Sequence, residues 1–101
     1  MIRLFIADDH ELFREGLKSL LSREKDIEIV GSASDGLEAV NAVWQLRPEV
    51  ILMDVTMPNM NGIQATEKIC SEFPDIAVIV ISMHNDRRFI AEALKAGARG
   101  Y

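Results

Sequence analysis

Stretches of strand character alternate with stretches of helical period from one end of this chain to the other. That alternation limits the fold more tightly than any single motif. Residues 2–6, IRLFI, have strand composition. Residues 11–23 set Phe13, Leu17, Leu20 and Leu21 at helical spacing. Residues 27–30, IEIV, are a second strand pattern. Asp35 can cap a helix that carries Leu37, Val40, Val43, Trp44 and Leu46 on one side and stops before Pro48. Residues 50–53 are the third strand. A helix from Gly62 or Ile63 then carries Ile69 and Phe73 and ends before Pro74. Residues 76–81, IAVIVI, form the clearest strand: continuous, β-branched and suited to cover on both faces. A fourth helix over 86–96 turns Ile90, Ala93 and Leu94 inward and is stopped by Gly97. Residues 98–101 have the character of a fifth strand just beginning.

Such alternation predicts an α/β fold, a doubly wound parallel sheet with helices on both faces. The sequence holds no internal repeat, low-complexity tract or linker, so one domain over residues 1–101 is expected. Each sheet face needs cover. A last helix is therefore expected to follow the fifth strand, and the sequence is read as cut short of it. At 101 residues the chain can bury a single core with little margin. Its 49% hydrophobic and 27% charged content is that of a globular chain. The net charge of -5, with Lys and Arg scattered and no basic run longer than Arg87 and Arg88, argues against a nucleic-acid surface within these residues. Cys70 is the sole cysteine, which excludes an internal disulfide and suits a reducing cytoplasm. Residues 2–7 are too short for the apolar region of a secretory signal, and Asp8 and Asp9 follow at once. No apolar run approaches membrane-spanning length.

The segment ILMDVTMPNMNG, residues 51–62, ends a hydrophobic strand in a carboxylate, Asp54. In an open parallel sheet, sites form at the carboxyl ends of strands where the strand order reverses. Asp8 and Asp9 end the first strand, Asp54 the third and Ser82 the fourth. If those strands are neighbours, three acids and a hydroxyl share one crevice. Crowded like charges raise each other's proton affinity unless a cation intervenes. All-oxygen ligands select a hard cation, Mg²⁺ above Zn²⁺. A carboxylate beside Mg²⁺ can attack phosphorus and form an acyl phosphate, with Ser82 donating a hydrogen bond to a phosphoryl oxygen. Taken singly, each residue has a plainer reading: Asp8 and Asp9 as caps of the first helix, Asp54 and Ser82 as turn formers. His10 reads as a polar first-turn residue, His84 as a loop residue, Met53, Met57, Met60 and Met83 as packing, and Cys70 as buried filler.

The segments FIADDHELFREGL, ILMDVTMPNMNGIQA, VIVISMHND and ALKAGARGY, in that order, resemble the receiver domain of bacterial two-component response regulators. ADDHELFREGL and SMHND look most like the NarL/FixJ group, whose receivers precede a LuxR-type helix-turn-helix. The resemblance implies a flavodoxin-like receiver fold with strand order 2-1-3-4-5. It implies that Asp54 is the phosphoacceptor, that Asp8 and Asp9 are the acidic pair at Mg²⁺, and that the Thr56 backbone carbonyl is a further ligand. Ser82 matches the hydroxyl that turns toward the phosphoryl group, and Tyr101 the aromatic residue coupled to it. Pro58 and Gly62 match the loop that shapes the acceptor site, while Thr56 and His84 fall where side chains tune phosphate lifetime. A lysine in the pattern GY-x-x-K is expected beyond Tyr101, and Lys95 does not match it. Without that lysine, phosphorylation is expected to be slow or lost; without the last helix, an apolar patch should be exposed.

The implied function is a cytoplasmic phosphoacceptor signalling domain and not an enzyme in its own right. It would take phosphoryl from a sensor histidine kinase and switch a DNA-binding output domain, with transcriptional control the result. These residues themselves should bind neither DNA nor membrane, and a homodimer or strand-exchanged oligomer is expected. The alternative is a non-phosphorylated interaction or dimerisation scaffold. A Mg²⁺-dependent aspartyl phosphatase would need a second acid two residues after the nucleophile, where this chain has Thr56.

Overall fold

The computed structural model describes residues 1–81 and 87–101. Its elements are β1 (Ile2–Ala7), α1 (Glu11–Leu21), β2 (Ile27–Ala33), α2 (Gly36–Leu46), β3 (Val50–Asp54), α3 (Gly62–Glu72), β4 (Ala77–Ile81) and α4 (Arg87–Ala96). The strands form one parallel sheet in the order β2-β1-β3-β4. Past α4 the chain returns to the free edge of β4. Arg99 N–H donates to the Val78 carbonyl at 2.9 Å, and Val80 N–H donates to the Gly100 carbonyl at 3.0 Å. The incipient fifth strand therefore lies beside β4, as expected.

Register explains where the core sits. Phe5, Ile51 and Val78 are partners across three strands, as are Ala7, Met53 and Val80. All six are buried and pack against Ala39, Val40 and Val43 of α2, Ala65 and Ile69 of α3, and Ala93 of α4. Residues of opposite parity point to the other face. There Leu4 and Ile6 are buried, but Leu52, Ile79 and Ile81 are only partly covered. β4 thus has the composition for cover on both faces but is fully covered on one, in keeping with the apolar patch expected without a last helix. Among the described residues the main packing of α1 against the sheet is on β2.

The helices end where local chemistry dictates. Asp35 caps α2, its carboxylate accepting the Glu38 N–H at 2.7 Å. Asn61 and Gln64 form a reciprocal capping box at the start of α3. Gly97, at φ 116°, terminates α4, with Gly97 N–H bonded to the Leu94 carbonyl and Ala98 N–H to the Ala93 carbonyl. Two expectations need correction. Helical spacing turns Leu94 inward, yet it is 51% exposed, because α4 meets α3 along a narrow line where only Ala93 is buried. Leu37 and Trp44 are about half exposed, whereas Val40 and Val43 carry the buried side of α2. β2 runs three residues beyond its expected end. A bulge opposite Leu4 and Phe5 resets its register, and Gly31 lets Phe5 and Leu46 pack where a Cβ would stand 2.8 Å from the Leu46 side chain.

Candidate functional site

The site begins with the adjacency of β1 and β3. Ala7, the last residue of β1, pairs with Met53, so Asp8, just past β1, and Asp54, which ends β3, lie side by side at the carboxyl edge of the sheet. Both carboxylates are nearly buried, at 3% and 9% exposure. Single oxygen or nitrogen atoms of Asp8, Asp9, His10 and Asp54 all lie within 4.8 Å of one another. The reading of Asp8 as a cap for α1 is not what forms. Its Oδ1 accepts the His10 N–H at 2.7 Å, and His10, at the N-cap position, makes no side-chain cap of its own. Instead the His10 Nδ1 lies 3.0 Å from both Asp8 Oδ1 and Asp9 Oδ1. Arg14 reaches back from α1 to donate to the Asp8 carbonyl.

The electrostatics follow from this crowding. Asp54 is pushed up to about 6, first by burial and then by the neighbouring Asp8 and Asp9 charges; a Val55 backbone hydrogen bond and His10 oppose the rise. His10 is raised by its hydrogen bond to Asp8 and by the charge of Asp9. Three convergent carboxylates in a crevice are a donor set for a small hard cation, and one that carries excess negative charge without it.

The loop after Asp54 is pinned to the strand it leaves. Gly62 N–H donates to the Val55 carbonyl at 2.8 Å, and a Cβ on Gly62 would stand 1.8 Å from the Asp54 carbonyl oxygen. Only glycine permits that approach. Within the loop Met57 is buried, while Thr56 and Pro58 are exposed. Tyr101, expected at the switch position, follows Gly100 beside β4 and is 37% exposed. Ser82, His84 and Met83 lie outside the described residues. Two features escaped sequence reading. His10 is a bridge between the two acids, which its place directly after them could have signalled. The Asn59 side chain donates to Asp35 across 24 positions of chain at 2.9 Å, and no local pattern announces such a contact.

With fold and crevice described, the relatives define the class. Residues 4–101 match the response regulator receiver domain, and the chain belongs to that family. It is a signalling domain of two-component systems of the NarL/FixJ type. Transcriptional regulatory protein DegU of Brevibacillus brevis is 45% identical over 100 residues, which make up 99% of this chain and 42% of that protein. The receiver domain of the response regulator NarL from Mycobacterium tuberculosis superimposes with a TM-score of 0.93 at 36% identity, covering 98% of this chain and 80% of that one. A chain of the CheX–CheY–BeF₃–Mg²⁺ complex from Borrelia burgdorferi does so with a TM-score of 0.91 at 27% identity, covering 97% and 74%. The chain thus spans under half the length of the curated relatives it matches.

Proposed function

We propose that Asp54 accepts a phosphoryl group from the phosphohistidine of a sensor kinase. The observation that carries this reading is a nearly buried carboxylate, last in β3, converging with Asp8 and Asp9. An Asp54 oxygen attacks phosphorus in line. The P–O bond forms as the P–N bond breaks, and the departing imidazole takes up a proton. Asp8, Asp9, Asp54 and the Thr56 carbonyl would hold Mg²⁺, which supplies neutralisation of the phosphoryl oxygens. The related complex formed with BeF₃ and Mg²⁺ supports that assignment. Ser82 would donate to the phosphoryl group, and Tyr101 would move with it as the conformational population shifts. The output served is a DNA-binding transcriptional domain, in keeping with the regulators that resemble this chain, and the setting is the cytoplasm. Among the described residues no helix is long and apolar enough to cross a membrane.

A second reading, a scaffold that pairs without phosphorylation, rests on the exposed apolar side chains Leu12, Phe13 and Leu20 along α1. One experiment separates the two. The full-length protein is incubated with acetyl phosphate and Mg²⁺ and weighed intact beside an Asp54→Ala control. A single added phosphoryl group, absent from the control, is the expected result. An unchanged mass leaves the scaffold reading in place of the acceptor.

A further inference from the structure

The N-cap of α2 carries one more function than a cap requires. Ser, Thr, Asn and Asp all cap a helix with one side-chain oxygen. Asp35 offers two and uses both. Oδ1 accepts the Glu38 N–H at 2.7 Å, and Oδ2 accepts from Asn59 Nδ2 at 2.9 Å. Asn59 belongs to the loop between Asp54 and α3, and it sits at φ 66°, a backbone conformation asparagine tolerates better than most residues. One residue on, the Met60 carbonyl accepts the Gly36 N–H at 2.9 Å, at a contact so close that a Cβ on Gly36 would lie 2.1 Å from that oxygen. Asp35 is held more acidic than an ordinary aspartate by the Glu38 amide and the Asn59 side chain, as expected of a carboxylate that serves two donors.

Resting on the acceptor reading above, we infer that Asp35 and Asn59 form a latch that positions the acceptor loop against α2, and so positions the Thr56 carbonyl at the cation site. The loop is then fastened at its base and at its middle. The bond from Gly62 N–H to the Val55 carbonyl closes its base just past β3, and Asn59 with Met60 tie its middle to the cap of α2. Thr56 lies between the two fastenings. A ligand carried on a loop keeps its geometry only when the surrounding contacts hold that loop. Asp35 and Asn59 are positioning residues, since neither belongs to the acidic cluster itself.

The test uses the full-length protein, with Mg²⁺ titrated and the rate of Asp54 phosphorylation by acetyl phosphate followed in the same samples. Asn59→Gly keeps the backbone conformation and removes the latch. Asn59→Asp sets two carboxylates against each other. Both should weaken Mg²⁺ binding and slow phosphorylation by roughly ten-fold or more. The exchange Asp35→Asn with Asn59→Asp retains a capping oxygen and rebuilds the bond with donor and acceptor reversed, so it should return both readouts to within about twofold of the parent. If the parent is phosphorylated on Asp54 while both single variants stay within that margin, or if the exchange fails to rescue them, the latch is refuted and the acceptor reading stands. A parent that takes no phosphoryl group refutes both.

Discussion

Asp54 ionises against its surroundings, and this makes the fold sensitive to pH at its site. Its ordinary value of 3.8 rises to about 6 in the folded chain. The fold therefore favours the protonated form. That contribution is fully present below about pH 4 and is lost as pH rises through about 6, a loss of about 1–3 kcal/mol by pH 7 once solvent screening is allowed for. Asp54→Asn should accordingly stabilise the cation-free protein by about 1–3 kcal/mol at neutral pH and hardly at all near pH 4. It should also abolish stabilisation by Mg²⁺. Urea unfolding at the two pH values checks this, and an equal effect at both would contradict it. Gly62 makes the other sharp demand at this scale. Gly62→Ala drives a methyl into the Asp54 carbonyl and should cost at least about 2 kcal/mol in the same assay, with slower phosphorylation because the acceptor's own backbone must move.

At the scale of elements, most helix boundaries were readable because their causes are local. Asp35, Pro48, Pro74 and Gly97 each act within a turn of where they stand, and the helices begin or end beside them. Asn61→Ala, which dismantles the capping box of α3, should cost about 1 kcal/mol in chemical denaturation. Burial within an element was less legible. Helical spacing marks a stripe of apolar residues without saying how wide the facing surface is. On α2, Val43 is enclosed while Trp44 stands half in solvent, edge-on to Phe73 at 4.8 Å with Arg47 over the Phe73 ring. The contrast can be measured on other elements: Ile51→Ala in the middle of the sheet should cost about 2–5 kcal/mol. Leu12→Ala, at a position 87% exposed on α1, should stay within about 0.5 kcal/mol.

Across the whole molecule the two sheet faces are covered unequally. The face beneath α2, α3 and α4 is closed. The opposite face leaves Leu52, Ile79 and Ile81 partly open, beside an α1 whose Phe13 and Leu20 are 47% and 63% exposed. Exposed apolar side chains promote association when they gather into a patch. Sedimentation velocity of the 101-residue chain should show self-association that grows with concentration and is weakened by Leu20→Glu. A monomer at every concentration would show that the open face is tolerated in water.

The order of elements, their parallel arrangement and the three aspartates at strand ends are legible along the chain, because hydrophobic period, caps and turn residues act over a few positions. How those pieces meet depends on contacts made in three dimensions. The pairing of β1 with β3 brings Asp8 beside Asp54, and from that neighbourhood come the raised proton affinity of Asp54 and the His10 bridge. The bond between Asp35 and Asn59 likewise exists only once α2 and the acceptor loop lie together. Charge and hydrogen-bond geometry depend on distance in space, and residues far apart in sequence acquire that distance only when the sheet closes their separation.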